Sequence, residues 1–429
     1  MTVIFAEGGT DCIIGPEKKR EAVRAALRHV GNCSRTLVLP PDGSRPHSDA
    51  GTLARILHEE SSGCEAFHVM PALGTHHAMT GQELRSMFGP DIPAGVFIEH
   101  NWREHLVTLG TVPSDYVHSI SGGALLDCMP DYQIRVEINR LLVQGGYSAI
   151  FSVGQVVPHE VAGMANGFKN ILVGTGGTDT INKTHFLGAV YGMEKMMGRA
   201  ETPVRDVMNY AHRHYLKDLG IVYIMTVVAR DDGGRLVVRG LYAGDDDEAF
   251  RLAAALSRQV NVTLLDEPQE RVVAYLEPRE FKSTWLGNKA IYRTRMAIAD
   301  GGELTVLAPD VRSFGEDPAI DHLVRLFGYR GTPGTIEALG KSDELRNNLS
   351  AAAHLIHGSS EGRFRIVYAT NPSLLSCEEV EQAGFEWRNI ADALREYPAH
   401  RLADGPNNGF YYVGCPALGL WAAKDRFTE

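Results

Sequence analysis

Short β-branched runs alternate with helical patterns from one end of this chain to the other, and few folds admit that rhythm. Arg35-Thr36-Leu37-Val38-Leu39-Pro40-Pro41-Asp42 reads as a strand ending in a loop, followed by a helical pattern through Leu53, Ile56 and Leu57. Ala66-Phe67-His68-Val69-Met70-Pro71-Ala72-Leu73-Gly74 is a second strand. Thr80 then caps a helix starting at Gly81, with Glu83 at its third position. Ser148-Ala149-Ile150-Phe151-Ser152-Val153-Gly154 is a third strand. Strands spaced by helices predict an α/β fold with mostly parallel sheets.

Around residue 262 the pattern restarts, with strands at Val272-Val273-Ala274-Tyr275-Leu276, Leu304-Thr305-Val306-Leu307-Ala308-Pro309 and Arg363-Phe364-Arg365-Ile366-Val367-Tyr368-Ala369. A helix is predicted across Trp285 to Ile298. At 429 residues the chain exceeds what one core usually serves. Two α/β domains are expected, 1–262 and a smaller 263–404, with a cleft between them. The tail 405–429 contains a strand over Gly409-Phe410-Tyr411-Tyr412-Val413-Gly414 and is expected to be able to pack back on the first domain.

Open α/β sheets bind ligands beyond the carboxyl ends of their strands, which is where Asp42, Arg45, His76 and His159 fall. A net charge of −11 argues against a nucleic-acid surface or an anionic membrane as partner. No apolar run approaches spanning length, and the first residues lack a basic, then apolar, leader. The cysteines form no CxxC pair and match no zinc module. A cytoplasmic enzyme acting on a small molecule is the expectation.

The chemistry concentrates in Gly154-Gln155-Val156-Val157-Pro158-His159-Glu160-Val161-Ala162-Gly163-Met164-Ala165-Asn166-Gly167-Phe168-Lys169 and its continuation to His185. Small residues here let a ligand approach the backbone. Lys169 has few acidic neighbours in sequence, and a desolvated amine becomes a better nucleophile; a snorkelling surface lysine is the commoner role. His185 lies in a predicted helix over Thr178 to Tyr191, where an imidazole facing a cleft suits a metal; most helical histidines merely pack. Gly174-Thr175-Gly176-Gly177 before that helix is only a weak phosphate-loop signal. His76 and His77 are adjacent, so at most one faces a given ligand. Arg45, in Pro41-Asp42-Gly43-Ser44-Arg45, can clamp a carboxylate with two prongs, although a surface ion pair is the ordinary role of a loop arginine. Lys289, in Trp285-Leu286-Gly287-Asn288-Lys289, can meet a carboxylate from the other domain or simply be solvated.

Taken together, Pro41-Asp42-Gly43-Ser44-Arg45, Gly74-Thr75-His76, Pro158-His159 with Lys169 and His185 in register, Asn288-Lys289 and Phe314-Gly315-Glu316-Asp317 resemble the lactate racemase family, along nearly the whole chain. The resemblance implies a nickel-pincer nucleotide, a pyridinium-3-thioamide-5-thiocarboxylic acid mononucleotide holding nickel through two sulfurs and a ring carbon. It implies Lys169 as the covalent anchor through a thioamide and His185 as the protein ligand to nickel. His76 and His159 would be the acid/base pair, and Arg45 and Lys289 would hold the substrate carboxylate. Asp42 would organise the phosphate and Arg45 side of the pocket. The implied reaction inverts the C2 hydroxyl centre of a 2-hydroxy acid by hydride transfer to and from the cofactor, which separate maturation enzymes would have to make.

Trp285 and Leu286 stand where the lactate-specific pattern has an aromatic and a glutamine, and Met164-Ala165-Asn166-Gly167-Phe168 differs from the usual glycine- and serine-rich version. Together with polar groups in Ile98-Glu99-His100-Asn101-Trp102-Arg103, this points towards a larger substrate, a sugar acid (aldonate), rather than lactate. Three other readings stay open: a lysine Schiff-base lyase using Lys169, a zinc-dependent hydrolase built from His76, His159 and His185, and a solute-binding protein without catalysis.

Overall fold

The structure, a computed structural model, describes residues 2–231 and 233–427. The chain divides into two compact units, one of residues 1–184 and 198–261, the other of residues 185–197 and 262–429.

The sheet of the first unit runs Val3–Gly8, Leu236–Gly244, Ile221–Arg230, Ala149–Gln155, Arg35–Leu39, Ala66–Val69 across its width. The last four strands are mutually parallel, and the first two join antiparallel. The near-continuous apolar runs have their cause here: Leu37, Val38, Leu39, Phe151, Val153, Val222 and Ile224 are all buried, as strands with both faces covered require. Helices Pro16–Val30 and Ala50–Glu60 contribute Ala22, Val23, Leu53 and Leu57 to the same core. The helix predicted from Gly81 is Gly81–Phe88, and Thr80 and Glu83 close a reciprocal capping box. Arg35–Leu39, Ala66–Val69 and Ala149–Gln155 all end where the polar segments begin.

The second unit has its own six-stranded sheet, ordered Glu386–Asn389, Arg365–Thr370, Ile298–Ala308, Gln269–Tyr275, Phe410–Val413, Gly405–Asn407. Every neighbouring pair is parallel except the last. The tail therefore does not return to the first unit's sheet. Val272, Val273 and Ala274 pair with Tyr411, Tyr412 and Val413, giving the apolar tail strand a buried ladder in the second unit.

The helix expected from Trp285 to Ile298 is instead two short helices, Thr284–Gly287 and Lys289–Thr294, and Ile298 opens a strand. The break falls at Asn288, whose neighbour Gly287 lies so close to Tyr368 that a Cβ there would stand 2.6 Å from the phenol oxygen. Helix Thr178–Tyr191 forms as predicted. No helix of the described residues is long and apolar enough to cross a membrane.

Candidate active site

After strand Arg35–Leu39 the chain turns at Asp42 to Arg45, closed by the Arg45 amide donating to the Asp42 carbonyl at 3.1 Å. The Asp42 carboxylate accepts from the Ser44 amide and hydroxyl, and its other oxygen lies 2.7 Å from Nδ1 of His76. Burial alone would raise this carboxyl; the His76 ring, the Ser44 hydroxyl and the Arg45 charge outweigh it and hold the pKa at about 2. An ionised carboxylate only accepts, so Nδ1 of His76 carries the proton and donates it. His76 is half-buried while His77 is exposed, so the tandem histidines do face different ways.

His159 is buried in a two-residue strand, Pro158–His159, paired antiparallel with Gly163–Met164. In the tight connection the Val161 amide donates to Nδ1 of His159 at 3.1 Å. The Glu160 carboxylate stands 3.7 Å from the same nitrogen, beyond hydrogen-bond reach.

The chain then passes through two left-handed residues, Asn166 at φ 68° and Gly167 at φ 60°, conformations open to Gly and tolerated by Asn. They turn Phe168 into the core and bring Lys169 to the start of a helical turn. As a whole residue Lys169 is half-buried, but its amine is enclosed, and it is the amine's surroundings that govern its titration. Burial, then the charge of Arg45, drives the amine down to about 7, with Arg205 adding to the fall and Glu160 and Asp42 opposing it. At neutral pH a large fraction is therefore the free amine, the nucleophilic form. Asp42, Arg45, Glu160 and Arg205 thus share one electrostatic neighbourhood with Lys169.

Arg205 carried no signal in the sequence. It follows the cap Thr202 on helix Pro203–Ala211, a position where a solvated arginine is the default. It is 2% exposed, donates to the carbonyls of Met164 at 2.7 Å and Asn166 at 3.2 Å, and lies under the Phe250 ring. It clamps the loop that carries Lys169.

Two sequence expectations change. His100, in the loop expected to read substrate hydroxyls, is buried and holds structure, with Nε2 on the Gly176 carbonyl and Nδ1 on the Asn139 side chain. Its burial pushes the imidazole down to about 4. The glycines at 176 and 177 serve close packing: a Cβ on Gly176 would stand 1.9 Å from the Leu172 carbonyl, and one on Gly177 2.5 Å from a Glu137 carboxylate oxygen. That carboxylate also accepts from the Asp179 amide at 3.1 Å, occupying a donor at the start of helix Thr178–Tyr191 that a phosphate would otherwise use.

His185 is half-buried on that helix. In the second unit, Lys289 begins its short helix with its amine 5.6 Å from the centre of the Phe281 ring. The turn before it is braced by Ser283, which caps Thr284–Gly287 and donates to Glu316. The motif Phe314-Gly315-Glu316-Asp317 is thereby explained, since Asp317 in turn caps helix Pro318–Phe327. Among the described residues, no group of three or more His, Cys, Asp or Glu side chains is placed to hold a metal ion.

A model of the lactate racemase N-terminal domain matches residues 130–198, the stretch containing His159, Lys169 and His185. The sequence and structural comparisons support the lactate racemase family for this chain. It is 27% identical over 283 residues to a lactate racemase of Thermoanaerobacterium thermosaccharolyticum, a match spanning 63% of this chain and 59% of that protein's length. Its fold is similar to the lactate racemase apoprotein of the same organism, with a TM-score of 0.69, 17% identity and coverage of 94% of this chain and 92% of the other. It is also similar to the crystal structure of a Thermotoga maritima protein, with a TM-score of 0.82, 23% identity and coverage of 97% and 100%.

The residues present fit the nucleotide cofactor that this family implies. A covalent tether through an amide-type nitrogen draws on the free-amine form, and burial with the charge of Arg45 lowers the Lys169 amine to about 7, on a loop whose Met164 and Asn166 carbonyls Arg205 holds. A nickel-holding nucleotide would take a nitrogen donor from the protein, the kind of ligand an imidazole offers.

Proposed function

We propose that this chain is a 2-hydroxy acid racemase or epimerase that inverts a C2 hydroxyl centre using a nickel-pincer nucleotide bound covalently through Lys169. When bound, that nucleotide supplies the hydride acceptor and donor for C2. The observation that carries the reading is Lys169, an amine held near half-protonation at neutral pH in a clamped loop, within one electrostatic neighbourhood with Asp42 and Arg45.

The remaining roles follow from the side chains. His185 would give an imidazole nitrogen to the metal. Arg45 offers a planar fork to the substrate carboxylate, and Lys289 a point charge. His76 and His159 serve the substrate oxygen, which must lose its proton as C2 becomes trigonal and regain it as C2 closes again. Asp42 orients His76. Loss of a hydroxyl proton avoids the costly removal of a weakly acidic C2 proton as H⁺. The cofactor-maturation enzymes are the implied partners, and an aldonate is the preferred substrate.

Intact-protein mass spectrometry and nickel analysis of the chain, produced in a host that makes the cofactor, test the reading. A sulfur-containing adduct on Lys169 with one equivalent of nickel is expected. An unmodified Lys169 with no nickel would overturn it. The same lowered amine also favours a second reading, a Schiff-base lyase. Borohydride trapping of a keto acid on Lys169, without nickel, would select that one. For the substrate, faster epimerisation of an aldonate than racemisation of lactate is expected.

A further inference from the structure

We infer that Cys33 and Cys64 form a modification site, two thiols that the folded register presets to close into a disulfide when the chain meets a hydroperoxide. The inference does not depend on the function proposed above.

The parallel ladder between Arg35–Leu39 and Ala66–Val69 begins with Arg35 opposite Ala66. One residue earlier the two chains are still side by side, because the Ser34 carbonyl accepts from the Glu65 amide at 2.8 Å and the Ala66 amide at 3.2 Å. Cys33 and Cys64 come next on each chain. Neighbouring strands run about 4.8 Å apart, and a disulfide joins residues whose Cα atoms are about 4.4–6.8 Å apart. Matching positions just before a ladder therefore lie within its span. Both backbones are held there. The Thr36 hydroxyl donates to the Cys33 carbonyl at 3.1 Å, and the turn after helix Ala50–Glu60 is closed by the Cys64 amide on the Ser61 carbonyl at 3.1 Å.

The side chains point the same way, since both pack against the core layer of Val38, Phe67 and Val69. They are also electrical neighbours, for Cys64 adds to the rise that burial imposes on the Cys33 thiol. Both thiols are free and half-buried, so a small oxidant reaches them. The Cys33 thiol donates a single long bond, 3.8 Å to the Leu27 carbonyl, and a weak donor is given up cheaply.

The chemistry runs in two steps. A thiolate is the form that a peroxide oxidises, so the raised Cys33 reacts second. The Cys64 thiolate attacks one peroxide oxygen, the O–O bond breaks, and a sulfenic acid forms as the other oxygen leaves to become an alcohol or water. The Cys33 sulfur then attacks the sulfenic sulfur. The S–S bond forms, the S–O bond breaks, and the departing hydroxide takes the Cys33 proton as water. The two sulfurs give up two electrons and the hydroperoxide accepts them. The bridge closes the segment 33–64, which holds helix Ala50–Glu60 and the Asp42 to Arg45 turn, at the amino ends of its two strands. Asp42 and His76 lie past the carboxyl ends of those strands, so the crossover is stapled from the end away from them.

The test uses the full-length chain, purified reduced, freed of reductant and exposed to hydrogen peroxide, then alkylated and mapped by peptide mass without reduction. A Cys33–Cys64 linked peptide pair, lighter by two hydrogens and released by dithiothreitol, is expected. Cys33→Ser should leave Cys64 as a sulfenic acid that dimedone captures, and Cys64→Ser should leave Cys33 open to alkylation; alanine replaces serine where that variant fails to fold. Cys33 and Cys64 both still alkylated after peroxide, a bridge from either to another cysteine, or a bridge between two chains would overturn the inference. Closing a loop on an undistorted fold restrains the unfolded chain, so the bridged protein should unfold at a higher denaturant midpoint than the reduced one. A bridge that lowered the midpoint would show that the two backbones had to move to make it, and the claim of a preset pair would fall.

Discussion

Lys169 and Lys289 are the same side chain, yet the regions around them are built on opposite plans. Around Lys169 the backbone does the positioning: left-handed Asn166 and Gly167 bend the chain, and Arg205 grips two of its carbonyls from beneath. The amine loses water and is pushed down to about 7. Around Lys289 side-chain packing does the work, with Phe281 beside the amine and Gly287 pressed against Tyr368. An amine that is to form a covalent bond must be desolvated, which takes an enclosing loop. An amine that only attracts a carboxylate needs a place to stand, and an aromatic face suits a cation. On the proposed function, the contrast separates a site for chemistry from a site for binding.

The sharpest way to break that comparison is to remove each amine. Lys169→Ala is expected to abolish the covalent adduct, read by intact mass. Lys289→Ala is expected to keep the adduct and lower kcat/KM by about 10- to 100-fold, the worth of one charge-assisted contact. If both variants kept the adduct, the assignment of Lys169 would be wrong.

Arg205→Met comes next. Leaving the Met164 and Asn166 carbonyls buried without donors should cost about 2–4 kcal/mol, read from the denaturant midpoint. It should also move the pH midpoint for acylation of Lys169 upward from about 7, because the Arg205 charge helps to lower it. A loss of stability with an unmoved midpoint would leave Arg205 a merely structural clamp.

A pH experiment separates the same plans. The Asp42 carboxyl falls from 3.8 to about 2 on folding, so its contribution is full above 3.8 and is lost as the pH drops through about 2. At 1.36 kcal/mol per unit this is worth ~2 kcal/mol, and Asp42→Asn should flatten that part of the acid-stability curve. Lys169 has the reverse sign. Its folded pKa lies below the unfolded value of 10.5, so the unfolded chain binds more protons between about 7 and 10.5 and stability rises across that window. Lys169→Met should remove the slope, and an unchanged slope would mean that the amine is not desolvated.

The smallest effect is expected in the second region. Gly287→Ala places a methyl 2.6 Å from the Tyr368 hydroxyl and 2.8 Å from Leu276. Overpacking of this kind costs about 1–3 kcal/mol in thermal or denaturant unfolding, and Lys169 acylation should not change.

Much of the α/β layout was legible because buried parallel strands are written as unbroken apolar runs, as at Leu37, Val38 and Leu39. Thr80 and Glu83 announced their helix because a capping box is local in sequence. The break at Asn288 was not legible, since what crowds Gly287 is Tyr368, about eighty positions away in the chain. For the same reason His100 looked like a substrate contact until its partners Asn139 and Gly176 were known.

By itself the sequence determined the element order and the clustering of polar residues after strand ends, because periodicity and side-chain chemistry are local properties. Only the tertiary structure decided which groups change character. The lowered amine of Lys169, the carboxylate of Asp42 behind His76, the amide of Val161 against Nδ1 of His159 and the burial of Arg205 all depend on desolvation and hydrogen-bond direction. Those are fixed by what folding brings alongside each group, and no window of sequence contains them.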